Sequence, residues 1–273
     1  MDDARITPSA LTIAGSDSGG GAGIQADLKT FAAHGVHGLS AIAALTAQHT
    51  RGVNAVHVPP AGFLRAQIDA CFDDFAIGAV KLGMLANAGA IAATADALRA
   101  HQPAYVVLDP VMVATSGARL LEADALDALR TRLLPLAAVL TPNLPEAELL
   151  LGRAIPDRDA MREAAVALRA MGAGAVLLKG GHLPSGADSN TDVVDVFVDA
   201  EGLREIAHPR LPLEAHGTGC TLASAAAAQL CRGLPVFEAC REAADYVHRA
   251  LRGGYRPGRG EAVVLDHFGA ARA

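Results

Sequence analysis

The sequence predicts an α/β fold with three layers, in which a mainly parallel central sheet lies between two layers of helices. Short apolar runs of strand length alternate along most of the chain with amphipathic stretches of helix length. The composition combines 51% hydrophobic residues and 28 glycines with only 4% aromatic residues, which suits helices packed closely on a sheet. Because 273 residues can bury one full core, we expect residues 1–273 to form a single domain.

Each element follows from this alternation, in chain order. Strands are predicted at residues 11–14, 39–47, 79–83, 105–108, 138–140 and 175–178. Helices are predicted at residues 24–35, 63–75, 88–100, 123–134, 145–151 and 159–171. Strands that alternate with helices favour a parallel sheet with helices on both faces. The alternation of strands and helices ends after residue 192. A hairpin is predicted there from residues 193–198 and 203–206, and two helices follow it at 219–231 and 236–251.

The charge and the cysteines exclude several classes of partner and location. The net charge is −6 and no basic block is present, so nucleic acids and anionic membranes are not expected as partners. The four cysteines form no Cys-x-x-Cys pair, and no secretory signal is visible at the start of the chain. The apolar run at 39–47 is too short to span a bilayer. We therefore expect a cytoplasmic protein with reduced thiols.

A glycine-rich turn follows the first predicted strand and lets the backbone approach a ligand closely. Gly21-x-Gly23-x-x-Ala26 matches a dinucleotide fingerprint weakly, but no Asp or Glu lies between Asp27 and Asp69 to bind a ribose, so a nicotinamide site is disfavoured. The alternative is a tight turn capped by Asp17, and the sequence leaves both interpretations open.

Three polar motifs follow later strands, where ligands of parallel sheets collect. Asp109 could bind Mg²⁺ or cap a loop. Asn143 and Glu146 could hold a hydrated Mg²⁺, or form the N-cap and N3 carboxylate of a helix. Lys179 ends a buried strand beside two glycines and could meet a phosphate or extend into solvent.

A turn of small residues from Gly217 to Cys220 precedes an alanine-rich helix and is the most informative motif. The unpaired N–H groups of a helix N-terminus bind anions and would stabilise charge on a transferring phosphoryl group. The same N-terminus favours a thiolate at Cys220, which could accept a proton. The alternative is a tight helix entry with Cys220 as a small filler. The sequence contains no Walker loop, zinc-binding His-Glu-x-x-His helix or Gly-x-Ser-x-Gly elbow.

Seven segments, in order, resemble the motifs of hydroxymethylpyrimidine/phosphomethylpyrimidine kinases. They lie at residues 12–30, 47–53, 81–85, 109–112, 141–147, 178–182 and 216–221. The resemblance covers most of the chain and implies a ribokinase-like fold and a role in thiamine biosynthesis. It also implies ATP and Mg²⁺, two successive phosphorylations of 4-amino-5-hydroxymethyl-2-methylpyrimidine to its diphosphate, and a homodimer. Two departures are His49, where the family often has Asn, and Glu214-Ala215, where it often has Asn-Thr.

The resemblance also implies a role for each matching residue. Asp27 and Gln48 would hydrogen-bond the aminopyrimidine edge, and the remaining substrate contacts would be Gly15, Asp17, Met84 and Val111. Asp109 and Glu146 would organise the metal. ATP would be bound by Asn143, Lys179, Gly217 and Gly219. The anion hole would consist of Gly217, Thr218, Gly219 and Cys220, with Cys220 as the candidate base where most ribokinase-like enzymes carry Asp.

Two alternatives remain open at this point. Some chains that resemble this family phosphorylate pyridoxal, so a vitamin B6 kinase is the alternative enzyme. A non-catalytic pyrimidine-binding protein is the alternative of another class. The presence of Asn143, Glu146 and Lys179 argues against the second, because a pure binder would not need the residues for phosphoryl transfer.

Overall fold

The structure is a computed structural model that describes residues 7–113, 120–122, 124–183 and 192–272. Its strands are β1 (Ser9–Asp17), β2 (His37–His49), β3 (Gly52–His57), β4 (Ile77–Leu82), β5 (Val106–Leu108), β6 (Val139–Leu140), β7 (Ala175–Leu178), β8 (Asp192–Asp199), β9 (Gly202–Pro209), β10 (Ala215–His216) and β11 (Val263–Val264). Its α-helices are α1 (Gly23–Ala33), α2 (Ala61–Asp74), α3 (Ala88–His101), α4 (Ala125–Ala128), α5 (Leu144–Leu151), α6 (Arg158–Ala170), α7 (Thr218–Cys231), α8 (Val236–Arg252) and α9 (His267–Ala270).

Nine strands form one sheet in the order β3-β2-β1-β4-β5-β6-β7-β8-β9. The strands from β2 to β7 pair in parallel, whereas β3, β8 and β9 join the two edges antiparallel. The predicted mainly parallel sheet and the hairpin after residue 192 are therefore confirmed. Because the parallel strands point the same way, the loops that follow them meet at one edge of the sheet.

Helices cover both faces of the sheet, which gives the three predicted layers. Alternate residues of each strand face opposite layers. Val80 and Leu82 of β4 pack in the core that contains α2 to α6, whereas Ala79 packs in the core that contains α1, α7, α8 and α9. The second core is lined largely by alanine on α7, so this helix approaches the sheet closely.

The remaining differences from the sequence-based prediction have local causes. β3 was not predicted because four of its six residues are exposed, so it carries no apolar pattern. β10, β11 and α9 have only two to four residues each and are too short to show periodicity. The helix predicted at 123–134 begins within the described residues as α4, continues as a π-turn at Leu129–Leu133 and ends in a 3-10 turn at Leu134–Leu136.

Candidate active site

A cavity of about 430 Å³ lies at the carboxyl ends of the parallel strands. It brings together almost all of the predicted site residues from distant parts of the chain. The predicted residues on its wall are Gly15, Asp17, Gln48, Met84, Asp109, Val111, Asn143, Glu146, Lys179, Gly217, Thr218, Gly219 and Cys220. The candidate active site is therefore assembled from the carboxyl ends of β1 and β2, the residues that follow β4, β5, β6 and β7, and the start of α7.

Asp17 caps the glycine turn after β1, as one of the two open interpretations predicted. Its carboxylate accepts hydrogen bonds from the backbone N–H groups of Gly19 at 2.8 Å, Gly21 at 3.0 Å and Ala22 at 2.9 Å. Burial opposes the charge, but the His216 side chain and these N–H groups outweigh it and hold the pKa of Asp17 below its usual value. Asp17 thus shapes the turn while it also lines the cavity.

Gln48 lies between two polar neighbours on the cavity wall. Its Nε2 atom is 3.0 Å from Nε2 of His216, and its Oε1 atom is 3.1 Å from Oγ1 of Thr46. Nε2 of His216 is also 3.2 Å from Oδ2 of Asp17. Gln48 therefore lies on the cavity wall, and both of these neighbours also line the cavity.

Asp27 does not line the cavity, and this corrects the expectation that it would contact the substrate. Its side chain is fully buried. Both of its carboxylate oxygens accept hydrogen bonds from Nζ of Lys81 at 2.9 Å, and the hydroxyls of Thr12 and Ser224 donate to it at 2.6 and 2.7 Å. Asp27 therefore neutralises a buried lysine beneath the cavity instead of facing a ligand.

Lys81 is the cation that Asp27 neutralises, and it belongs to the cavity lining. Its side chain is fully buried in the middle of the sheet. Burial disfavours the charged amine, but the Asp27 carboxylate together with Cys220 and Asp109 outweighs burial and raises the pKa of Lys81 above its usual value. The lysine is therefore charged.

Lys179, Asp109 and Glu146 form a buried charged group at the ends of β5 to β7. Nζ of Lys179 donates to Oδ1 of Asp109 at 3.0 Å. Burial opposes the charge on Lys179, but the carboxylates of Asp109 and Glu146 outweigh it and raise the pKa of that amine. Burial also raises the pKa of Glu146 to about 7. Lys179 does not extend into solvent, so a charged amine remains beside the cavity.

Asn143 and Glu146 form the capping box at the start of α5. The side chain of Asn143 accepts from the N–H of Glu146 at 2.9 Å, and Glu146 accepts in return from the N–H of Asn143 at 2.8 Å. The structural interpretation of this spacing is therefore confirmed. Both residues also line the cavity, so the capping box leaves the predicted ligand roles open.

The acidic residues fit Mg²⁺ only if it is bound together with phosphate oxygens. Within the described ranges, no group of three or more His, Cys, Asp or Glu side chains could hold a metal ion. Asp109 and Glu146 supply two carboxylates on the same cavity wall. Mg²⁺ commonly takes one or two carboxylates and completes its octahedron with phosphates and water. The donor set therefore suits a nucleotide-bound Mg²⁺ and not a closed protein cage.

The turn before α7 has the geometry of an anion site. Gly217 adopts φ +85°, and a Cβ atom there would lie 2.0 Å from the carbonyl oxygen of Gly21, so only glycine fits. The first hydrogen bond of the helix runs from the N–H of Thr221 to the carbonyl of Gly217 at 3.0 Å. The preceding N–H groups of the turn have no partner within the helix. A Cβ atom on Gly219 would lie 3.0 Å from Nζ of Lys179, so the helix N-terminus and this cation are adjacent.

Cys220 lies in this turn, but its thiol does not have the low pKa that the sequence suggested. Burial raises its pKa to about 11; the charge of Lys81 opposes this shift, and the carboxylates of Asp27 and Asp109 add to it. The expected thiolate is therefore wrong for the free protein, in which Cys220 is a neutral thiol at neutral pH.

Several residues on the cavity wall were not among the predicted site residues. They are Ser16, Thr46, Lys81, His182 and His216. Lys81 carried a sequence signal, because a lysine within an apolar strand must find a partner when it is buried. His216 belongs to the motif before α7 but has no role there that spacing alone could suggest.

Comparison with known proteins identifies the family of this chain. A family model described as phosphomethylpyrimidine kinase matches residues 17–265. The chain belongs to the phosphomethylpyrimidine kinase family. A hydroxymethylpyrimidine/phosphomethylpyrimidine kinase from Rhizobium meliloti is 51% identical over 267 residues, which cover 96% of this chain and 98% of the relative. The thiamine biosynthesis bifunctional protein ThiED from Geobacter sulfurreducens is 49% identical over 264 residues, which cover 96% of this chain but only 53% of the relative.

Solved structures of phosphomethylpyrimidine kinases and pyridoxal kinases share the fold. A phosphomethylpyrimidine kinase from Clostridium difficile has a TM-score of 0.78 at 40% identity and covers 89% of this chain and 99% of its own. An ADP complex of Bacillus subtilis pyridoxal kinase has a TM-score of 0.87 at 33% identity and covers 98% of this chain and 100% of its own. The predicted family and its ribokinase-like fold are confirmed. The backbone resembles both kinds of kinase, whereas sequence identity is higher to the pyrimidine kinases.

Proposed function

We propose that the chain phosphorylates 4-amino-5-hydroxymethyl-2-methylpyrimidine with ATP, and then phosphorylates the monophosphate to the diphosphate, in thiamine biosynthesis. One observation carries the proposal: a single cavity is lined both by a helix N-terminus beside Lys179 and by Gln48 and Met84. A carboxamide beside apolar side chains suits a polar aromatic ring. Membership of the family and 51% identity to a named pyrimidine kinase support the same assignment.

The residues of the cavity supply charge and position for phosphoryl transfer. The N–H groups of the turn from Gly217 to Cys220 would stabilise the charge that spreads over the transferring phosphoryl oxygens. Lys179, whose amine is charged and lies next to this turn, would neutralise part of the same charge. The thiolate form of Cys220 would accept a hydrogen bond from the attacking hydroxyl and take up its proton late in the transfer, which leaves the neutral thiol. Because the transition state is loose, position and charge contribute more than the base.

The substrate subsite would position the pyrimidine ring. Met84 and Val111 are partly or fully buried apolar side chains on the cavity wall and would pack against it. A Cβ atom on Gly15 would lie 3.0 Å from Sδ of Met84, so glycine keeps space open between β1 and Met84. Gln48 would bind the polar edge of the ring.

The finer properties of the protein are proposals as well. Asp109 and Glu146 would hold a Mg²⁺ ion that neutralises nucleotide phosphates, and Asn143 would contact the nucleotide. We propose a homodimer of single-domain subunits that works in the cytoplasm, where its four free thiols stay reduced. Among the described helices, none combines the length and apolar character needed to cross a bilayer.

The test is an assay with ATP and Mg²⁺ in which the hydroxymethylpyrimidine and pyridoxal are offered in parallel. Products are separated so that monophosphate and diphosphate are measured individually. We expect pyrimidine monophosphate to appear first and the diphosphate to follow. Pyridoxal phosphate as the sole product would assign the chain to vitamin B6 salvage, and no product from either compound would support a binding protein.

A further inference from the structure

The carboxamide of Gln48 lies in a network whose donors and acceptors can be counted atom by atom. One end of the group faces Thr46 and the other faces His216, at 3.1 and 3.0 Å. Rotation by 180° exchanges the oxygen and the nitrogen of a carboxamide without changing its shape. The hydrogen-bonding partners therefore decide which end is which.

Thr46 is compatible with either orientation. Its hydroxyl has one hydrogen and lies 2.9 Å from the carbonyl oxygen of Ser16 and 3.1 Å from Gln48. It can donate to the carboxamide oxygen of Gln48, or it can donate to Ser16 and accept from the NH₂ group of Gln48. The contact of Gln48 with His216 therefore decides the orientation.

His216 decides which end of the carboxamide carries the oxygen. Its Nε2 atom lies 3.2 Å from the carboxylate oxygen Oδ2 of Asp17. The pKa of Asp17 is below its usual value, so this oxygen is charged and can only accept. His216 therefore carries a hydrogen on Nε2, which points between Asp17 and Gln48. An N–H at 3.0 Å from Gln48 requires the carboxamide oxygen on that side.

We propose that His216 fixes the Gln48 carboxamide with the oxygen toward its own Nε2 atom, so that Gln48 presents an N–H donor to a ring nitrogen of the substrate. One hydrogen of the NH₂ group is donated to Thr46, and the second is available on the cavity wall, where Gln48 lies. His216 acts through Gln48 and is a positioning residue. The inference rests on the proposed function, because the acceptor is a nitrogen of the pyrimidine ring.

If the N–H donor of Gln48 is fixed, the protein should discriminate between the pyrimidine and an analogue that lacks the ring nitrogen facing it. If the ring nitrogen that faces Gln48 becomes a C–H group, the N–H loses its acceptor and stays desolvated, which weakens binding. A carboxamide released from His216 can rotate and turn its oxygen toward the C–H group. The loss of affinity for the altered ligand should therefore be smaller when His216 loses its N–H.

The experiment measures binding by calorimetry, without ATP, for the hydroxymethylpyrimidine and two pyridine analogues that each replace one ring nitrogen with C–H. The proteins are the wild type, His216→Phe, Gln48→Glu and, as a matched control, His49→Phe at an exposed histidine next to Gln48. We expect the wild type and the control to bind one analogue about tenfold or more weakly than the parent. In His216→Phe the ratio of the dissociation constants of that analogue and the parent pyrimidine should fall to about threefold or less.

Gln48→Glu tests the same orientation without altering His216. Its carboxylate can accept from His216 but has no N–H to offer, so the discrimination should be lost there as well. The inference would be overturned if the ratio of affinities for the parent and the weaker analogue were unchanged in both variants. Equal binding of all three ligands by the wild type would also overturn it. If the wild type phosphorylates the pyrimidine but fails this test, only the inference falls; if it neither binds nor phosphorylates the pyrimidine, the proposed function falls with it.

Discussion

At Cys220 opposing effects act on one thiol, and burial is the largest of them. The neighbouring cation Lys81 favours the thiolate, whereas burial and the carboxylates of Asp27 and Asp109 favour the thiol and bring the pKa to about 11. At pH 7 only about one molecule in 10⁴ carries the thiolate. Only this thiolate fraction can take up the proton of the attacking hydroxyl, because the neutral thiol already carries its proton, and it does so late, as charge changes on the attacking oxygen.

This state of the thiol gives the first prediction, for Cys220→Ala. We expect kcat to fall about 10- to 100-fold, because the anion-binding N–H groups and Lys179 remain in place and only the proton acceptor is lost. KM for the pyrimidine should change by less than about threefold. Steady-state kinetics with saturating ATP measure both values, and Cys220→Ser serves as the control that keeps a small polar atom. Equal losses in kcat and in substrate affinity would contradict the role of Cys220 as a base.

At the scale of elements, the buried pair of Lys81 and Asp27 joins four segments of the fold. Lys81 lies on β4 and Asp27 on α1, and the hydroxyls that complete the group come from Thr12 on β1 and Ser224 on α7. Ser224 is one helical turn after Cys220, so the same group fixes the helix that carries the anion site. A buried charge without its partner is costly, which makes the two residues interdependent.

The second prediction concerns Lys81→Met, which leaves the Asp27 carboxylate buried without its cation. We expect the free energy of unfolding to fall by about 3–5 kcal/mol, as measured by urea denaturation. Adding Asp27→Asn to this variant should restore at least about half of the loss, since the buried charge is then removed.

The control for this prediction is Arg65→Met, which breaks a half-exposed ion pair with Asp69 on α2. It should cost less than about 1 kcal/mol. If Lys81→Met were no more destabilising than Arg65→Met, the pair would not join the elements as inferred. The same measurement tests the corrected role of Asp27, because a residue that only contacted substrate would not affect unfolding.

The sequence predicted the elements that bury an apolar face, and all of the predicted site residues except Asp27 lie on the cavity wall. Motif positions indicated that Lys179 and the turn at Gly217 lie at the cavity, because Lys179 directly follows a strand and the turn begins a helix, whereas Gln48 lies near the carboxyl end of β2. The sequence could not predict which way Asp27 faces. Its partner Lys81 is 54 positions away, and their pairing depends on how α1 packs on the sheet.

The pKa of Cys220 was mispredicted for a related reason. A helix N-terminus can be inferred from a local sequence pattern, whereas burial depends on everything that packs around the side chain. The same limit applies to His216, whose contacts with Asp17 and Gln48 span 199 and 168 positions. Local patterns therefore predict where a side chain is placed along the chain, and packing decides its charge and partners.

At the scale of the whole molecule, residues 263–270 return to the active-site end of the fold and help to fix it. β11 pairs with β10 directly before the anion-binding turn. His267 is buried, and its Nε2 atom lies 3.2 Å from the hydroxyl of Thr221 in the first turns of α7. The hydroxyl of Tyr246 on α8 donates to the carbonyl of His267 at 2.8 Å. The stability of the fold is therefore linked to the protonation of one buried histidine.

The last prediction is the loss of stability that this histidine causes in acid. Burial lowers the pKa of His267 to about 4 in the folded protein, from 6.5 for the free side chain. Between these two values the unfolded chain binds a proton that the folded protein does not, so stability falls as the pH is lowered through this window. Relative to pH 7, we expect the contribution of His267 at pH 5 to be a loss of about 2 kcal/mol.

The measurement is urea denaturation at both pH values for the wild type, for His267→Gln and for His57→Gln at an exposed position on β3. His267→Gln keeps a polar side chain near Thr221 but cannot take up a proton in this range. Its free energy of unfolding should therefore fall by about 2 kcal/mol less than that of the wild type between pH 7 and pH 5. His57→Gln should behave like the wild type. Other histidines, such as His34 and His182, also have lowered pKa values, but they remain in all three proteins and cancel in the comparison. An identical pH dependence in His267→Gln and wild type would mean that His267 is protonated or exposed in the folded state, and that residues 263–270 do not pack against α7 as described.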